Sequence, residues 1–105
     1  MALQIDWTEP ALEGLEIIRD YIVKDSPFYA RNFIERLFDA TTRLEEFPKS
    51  GRPVPEAEGR DDIREVIYQG YRIIYLLLTD QDRLQVIAVI HGSRNFEGQE
   101  IKPWD

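Results

Sequence analysis

Apolar residues recur at helical spacing in the first half of the chain and at strand spacing in the second. Ala11, Leu15, Ile18 and Ile22 follow one another at 4, 3 and 4 residues, one apolar stripe along a helix that Leu12 widens. Thr8 is a good N-cap and Glu9-Pro10 suit a first turn, so the spacing predicts a helix from about Glu9 to Lys24. Asp25-Ser26-Pro27 is a stop and a restart, with Ser26 as cap and Pro27 in the first helical position. Ala30, Phe33, Ile34, Leu37, Ala40, Leu44 and Phe47 then repeat at helical spacing until Pro48, which disfavours helix at the residue before it. The short connection makes the pair an antiparallel αα-hairpin. Ahead of it, Leu3 to Trp7 alternates apolar and polar as a short strand does.

Residues 48–62 read as loop: Lys49-Ser50-Gly51 and Glu58-Gly59-Arg60-Asp61-Asp62 are turn material, and Pro53 and Pro55 hold the middle extended. Beyond it, Ile63–Tyr68, Tyr71–Thr79 and Leu84–His91 are rich in β-branched and aromatic residues. Turns as short as Gln69-Gly70 and Asp80-Gln81-Asp82-Arg83 make them an antiparallel meander. With a two-residue turn, Tyr68 pairs with Tyr71, Ile67 with Arg72, Val66 with Ile73 and Glu65 with Ile74. One face then carries Arg64, Val66, Tyr68, Tyr71, Ile73, Tyr75 and Leu77, and suits the helices. The other carries Ile63, Glu65, Ile67, Arg72, Ile74 and Leu76, with Glu65 diagonal to Arg72. A bulge at Gly70 would turn one strand over. The expected fold is α+β: an antiparallel sheet, made of a short N-terminal strand and a C-terminal three-stranded meander, packed against an N-terminal αα-hairpin. The 105 residues form one domain, with residues 96–105 expected as a loosely ordered tail.

Composition narrows the chemistry. The chain has no cysteine, which removes disulfides and thiolate metal sites, and one histidine leaves no recognisable metal-ligand spacing. No metal and no cofactor are expected. Its first residues have neither a basic start nor a sustained apolar run, and the longest apolar run, Ile73 to Leu78, is far too short to span a bilayer. A soluble cytoplasmic protein with no membrane association is expected. The net charge is −7, from −4 over residues 1–50 and −3 over residues 51–105. Such a surface repels nucleic acid unless cations cluster locally, and it favours a protein partner.

The candidate functional groups are therefore few. Arg72 and Arg94 each stand just beyond a strand or turn, and a guanidinium fixed on a sheet presents a rigid fork to phosphate or carboxylate. Against that, Arg72 beside Glu65 reads equally as a surface ion pair, and Arg94 as a solvated strand end. Arg52 and Arg64 are placed to brace the loop against acidic neighbours. His91 reads as hydrogen-bonded structure rather than a base, since no Ser, Cys or second His is expected beside it to form a triad or metal site. Tyr71 and Tyr75 are expected under the helices. Trp104 is a candidate to anchor the tail or to touch a partner.

In order along the chain stand Trp7-Thr8-Glu9-Pro10-Ala11, Asp20-Tyr21-Ile22, Pro48-Lys49-Ser50-Gly51-Arg52-Pro53-Val54-Pro55-Glu56, Ile63-Arg64-Glu65-Val66, Gly70-Tyr71-Arg72-Ile73-Ile74-Tyr75 and Val89-Ile90-His91-Gly92-Ser93-Arg94. Over about residues 3–96 this resembles the ParE/RelE superfamily of toxins from bacterial type II toxin–antitoxin (plasmid stabilisation) systems. The resemblance implies a helical hairpin on one face of an antiparallel sheet and a cognate antitoxin whose C-terminal segment wraps the domain. It also implies a choice between two activities. RelE-like members cleave mRNA on the ribosome, with lysines before the hairpin turn, an arginine after it, an arginine after the last strand and often a tyrosine near the C-terminus. Arg72 and Arg94 match the two arginines, but the lysine positions fall at Ile63 and Glu65 and the tyrosine position near Glu100. ParE-like members poison DNA gyrase by binding it, without cofactor or covalent chemistry, and the loop and the Tyr-Arg-Ile-Ile-Tyr strand are closer to that branch. The expectation is a gyrase-poisoning toxin that is not an enzyme, with Arg52, Arg64, Glu65, Arg72, His91 and Arg94 facing partners. The alternatives are a ribosome-dependent endonuclease using Arg72 and Arg94, and a degenerate interaction domain without toxicity.

Overall fold

The computed structural model describes residues 3–93 and 102–105. Strand β1 (Gln4–Trp7) leads into helix α1 (Glu9–Val23) and helix α2 (Pro27–Thr42), followed by β2 (Arg52–Pro53), β3 (Ile63–Tyr68), β4 (Tyr71–Leu78) and β5 (Arg83–His91). The sheet order is β1-β5-β4-β3-β2. Both helices start as their caps dictate: the Thr8 hydroxyl accepts from the Ala11 N–H at 3.4 Å, and the Ser26 hydroxyl from the Tyr29 N–H at 3.1 Å. The Thr8 hydroxyl also donates to the Val86 carbonyl at 3.1 Å, fastening the start of α1 to β5.

The expected α+β architecture stands, with three differences. β1 lies parallel, not antiparallel, to β5, Gln4 opposite Arg83 and Trp7 opposite Val86. The α1–α2 hairpin separates the two strands in sequence, and a connection that long permits the parallel sense. Within the expected loop, Arg52 and Pro53 form a short antiparallel strand against Glu65 and Arg64. The second helix also ends early. It gives way to a 3-10 turn over Arg43–Glu45, after the hydroxyls of both Thr41 and Thr42 donate back to the Phe38 carbonyl at 2.7 and 3.0 Å. The change of period leaves Leu44 buried but Phe47 58% exposed, so Phe47 is not part of the apolar stripe.

The β3–β4 register is the one expected from the sequence, from Tyr68 opposite Tyr71 to Ile63 opposite Leu76. Gln69 (φ 49°) and Gly70 (φ 83°) both adopt positive φ, as a tight hairpin turn requires. No bulge lies at Gly70. The irregularity falls between β4 and β5, where Ile74 faces Ala88 and Tyr75 faces Val86, leaving Ile87 without an opposite residue. The extra residue puts Ile87 and Ala88 together in the core on the sheet face away from the helices.

Two cores result. Under the helices, Leu15, Ile18, Phe33 and Leu37 pack on Ile73, Tyr75, Leu84 and Val86. Phe33 lies 5.4 Å from both Tyr68 and Tyr71, ring centre to ring centre. On the opposite face, the loop residues Val54 and Ala57 cover Ile63, Ile74, Ile87 and Ala88, and Trp104 packs against them.

Gln69 has a side chain where the left-handed region favours none. Gln69→Asn should raise unfolding free energy by roughly 0.5–1 kcal/mol, and Gly70→Ala should lower it by about 1 kcal/mol. Urea denaturation of the two variants checks the pair.

Candidate functional site

Chemistry-bearing side chains gather on the sheet face away from the helices, at the junction of β2, β3, β4 and the loop after β2. The register places Glu65 and Arg72 on that face. The Arg72 Nε–H donates to Glu65 Oε1 at 2.6 Å, and its two terminal nitrogens donate to the carboxylate of Glu56 at 2.7 and 2.8 Å. The other oxygen of Glu65 accepts from Arg52 Nε at 2.7 Å. Two cations and two carboxylates thus alternate as Arg52, Glu65, Arg72 and Glu56.

Burial decides what this network does. Arg72 is 4% exposed and Glu65 1%, so the pair is interior and not the surface ion pair that the sequence also allowed. A hidden guanidinium is tolerable because its fork meets a bidentate partner and a second carboxylate. Arg72 is held above its ordinary pKa, first by the hydrogen bonds to Glu56 and then by Glu65, against the opposing effect of burial. Arg52, with its side chain 61% exposed, is the member of the network that a partner can touch. Glu56 was missed as a site residue. The signal for it was its place after Pro53-Val54-Pro55, a stiff segment that aims the next side chain back at the sheet.

Arg64 turns to the other face. Its Nε–H donates to the Gly51 carbonyl at 2.9 Å, and its Nη1 contacts Asp61 Oδ1 at 2.8 Å and the Asp61 carbonyl at 3.1 Å. It braces both ends of the loop, as its position suggested. Tyr75 completes that junction: its O–H donates to the Pro48 carbonyl at 2.7 Å and accepts from the Gly51 N–H at 3.1 Å. A Cβ at position 51 would stand 2.5 Å from both the Tyr75 hydroxyl and the Glu65 carbonyl, so only glycine fits. Burial pushes the Tyr75 phenol above its ordinary pKa, opposed by the Gly51 hydrogen bond and the charge of Arg64.

Ile63 is fully buried and offers nothing to a ligand. Exposed His91 does have a serine beside it, contrary to expectation: Ser93 Oγ lies 2.7 Å from Nδ1. The Ser93 backbone N–H also donates to Nδ1 at 3.2 Å. A backbone N–H can only donate, so in the neutral ring Nδ1 is the acceptor and Nε2 carries the proton. His91 also meets the edge of Tyr71, ring centres 5.5 Å apart. The bond to Ser93 closes a local turn, and among the described residues no third group orients a dyad. Arg94 and Glu100 lie outside the described residues.

Two of the open surfaces among the described residues bear on partner binding. One lies along α1 and β5, where Ile17 (70% exposed) and Tyr21 (67% exposed) stand beside Tyr71, Ile90 and His91. The other lies between α2 and β3. Among the described residues, no helix is long and apolar enough to cross a membrane.

Arg72→Ala should cost roughly 3–5 kcal/mol of stability, because it strands a hidden carboxylate, whereas Arg52→Ala should cost less than about 1 kcal/mol. Denaturant midpoints separate them. The raised phenol makes a pH-dependent contribution that is complete below the unfolded value of 10.0 and is lost as pH rises through the higher folded value. Melting temperature should therefore fall above about pH 10 in the parent protein, and fall less steeply in Tyr75→Phe.

Comparison with known proteins agrees with this geometry. Residues 5–96 match the family described as "ParE toxin of type II toxin-antitoxin system, parDE". Toxin RelE2 of Caulobacter vibrioides is 45% identical over 91 residues, covering 87% of this chain and 97% of that protein. Among solved structures, the chromosomal ParDE toxin–antitoxin system of P. aeruginosa superposes with a TM-score of 0.69 at 16% identity, covering 86% of this chain and 96% of that one. A mutant of the E. coli toxin RelE in complex with an antitoxin RelBc peptide gives 0.61 at 20% identity, covering 97% of each chain. These two carry the fold, and the family match and the Caulobacter relative carry the kinship: the chain belongs to the ParE toxin family, within the ParE/RelE superfamily of type II toxin–antitoxin toxins.

Proposed function

We propose that this toxin acts by binding and poisoning DNA gyrase, and that a cognate antitoxin silences it. The observation that carries the reading is the state of Arg72. Cleaving an RNA backbone requires cations free to meet charge that develops on a phosphorane, and a group that activates the 2′-hydroxyl. Here the guanidinium that resemblance assigns to that work is held by Glu56 on two sides and by Glu65 on a third. A phosphate would have to displace a bidentate carboxylate and enter a site whose flanking position is Glu65. Buried Ile63 occupies the other expected lysine position. A binding poison needs none of these groups; it needs an accessible surface.

The antitoxin follows from kinship and from the α1 surface. The RelE chain of the E. coli complex is bound to an antitoxin peptide, and this chain exposes Ile17 and Tyr21 one helical turn apart beside β5. An apolar stripe of the antitoxin is the natural cover for them. Of the residues picked from the sequence, Arg52 and His91 are exposed and suit contact with a partner. The competing reading, a ribosome-dependent endonuclease, has one observation in its favour: the relative that is 45% identical bears the name RelE2.

Induced expression in bacteria without the antitoxin should arrest growth and switch on the DNA-damage response while protein synthesis continues. Purified protein should trap gyrase on cleaved DNA and leave ribosome-bound mRNA whole. Codon-positioned mRNA cuts with no gyrase effect would reverse the assignment, and normal growth with folded protein would favour a non-toxic interaction domain.

A further inference from the structure

Arginine is unevenly paired on this surface. Of the nine arginines among the described residues, seven stand within ion-pair distance of a carboxylate, and the two left are Arg36 and Arg43. Both are exposed on one wall of an open groove of about 700 Å3, formed by α2 and the turn after it. Seven residues apart, they are separated by about 10 Å of helix rise. Arg52 lines the facing wall; its Nε is bonded to Glu65, yet its side chain stays 61% exposed.

The carboxylates of the groove do not cancel these charges. Glu65 is shared between Arg52 and Arg72, and Glu56 closes on Arg72, so that network is neutral with Arg52 as its exposed positive end. Asp39 is the one acid in the groove's lining that opposes Arg36 and Arg43. The acids that give the chain its net charge of −7 otherwise stand outside the groove. At physiological salt, exposed charges more than about 8 Å apart are largely screened from each other. The cluster therefore acts with its own sign and not with that of the whole chain.

Its chemistry suits the backbone of a duplex. Guanidinium forks meet phosphate oxygens in pairs, and the exposed Ser50 hydroxyl and Gln69 amide add neutral donors. Duplex DNA carries a charge about every 1.7 Å of its axis, so cations about 10 Å apart find phosphates whatever the sequence. A single strand calls instead for exposed aromatic faces on which bases stack. Tyr68 is the one aromatic residue in the groove's lining, and its ring packs against Phe33, centres 5.4 Å apart.

We infer that the groove between α2 and β3 grips the phosphate backbone of duplex DNA, with Arg36, Arg43 and Arg52 as phosphate ligands and no reading of bases. Three such contacts are weak alone and gain weight when another protein already holds DNA beside the toxin. That this DNA is the segment held by gyrase rests on the function proposed above; the affinity for a duplex does not.

The test is fluorescence anisotropy of a short labelled duplex titrated with the full chain between about 20 and 100 mM salt. Three phosphate contacts predict a slope of log K against log salt of about −2.7. Arg36→Gln/Arg43→Gln, two exposed positions, should bring the slope to about −0.9 and weaken binding about a hundredfold at the lowest salt. Asp39→Asn should strengthen it. A single-stranded oligonucleotide of equal charge and a glutamate peptide should both bind more weakly than the duplex. No measurable affinity at the lowest salt, a slope that the double variant leaves unmoved, or equal binding of the single strand or the glutamate peptide would each overturn the inference. In the gyrase assay the double variant should still bind the enzyme but trap less cleaved DNA, and undiminished trapping would sever the link to gyrase-held DNA. The duplex titration contains no gyrase, so it can fail while the gyrase assay succeeds, and the reverse.

Discussion

A guanidinium out of water is the constraint on which the sheet's second face depends. Arg72 sits on β4, and nothing on β4 can neutralise it. It therefore recruits Glu65 from β3 and Glu56 from the loop, and Glu65 in turn holds Arg52 of β2. Three strands and a connecting segment are tied at one point. The segment that delivers Glu56 also lays Val54 and Ala57 over Ile63 and Ile74, so the second core and the ion network form together. Such a network adds little net stability over an apolar equivalent of the same shape, but it is costly to break from one side. Its contribution here is to specify where the loop lies.

The same arrangement bears on function. Superposable folds within one superfamily host different activities, so the scaffold cannot assign the target and the site must. At this site Arg72 and Ile63, two of the positions that resemblance links to RNA cleavage, are buried. The Arg72 guanidinium is satisfied by Glu56 and Glu65, and Ile63 presents no charge at all. What remains accessible is at the margins of the sheet: the apolar flank of α1 and the arginine-lined cleft under α2.

Much of this was legible in the sequence because local signals agreed with each other. Thr8 and Ser26 marked helix starts, and Gln69-Gly70 set a register that correctly put Glu65 beside Arg72. Burial was not legible, because it depends on what covers that face. The loop between Pro48 and Ile63 has no periodicity, so its pattern did not say that Val54 and Ala57 would fold back, and only the stiff Pro53-Val54-Pro55 segment pointed to where Glu56 would reach. The parallel sense of β1 was hidden for a similar reason: the partner strand lies far away in sequence, and four residues carry no directional mark. The early end of α2 came from two adjacent hydroxyls competing for one carbonyl, a local effect finer than the apolar stripe. The extra residue at Ile87 was invisible in a run where every side chain is apolar or small.

The pairing of β1 with β5 sets a chronology. Gln4 meets Arg83, so 79 residues separate a strand from its neighbour. On the ribosome the first strand waits until everything between it and β5 has been made. At about 5–20 residues per second, that interval lasts several seconds. Long-range closure of this kind is slow relative to helix formation. The helical hairpin can therefore assemble during synthesis, while the finished sheet, with its ion network on β3 and β4 and its β1–β5 seam, exists only after translation has passed β5. Any partner that recognises the completed sheet meets a chain whose synthesis has passed β5, and one terminated before β5 presents it with no such surface.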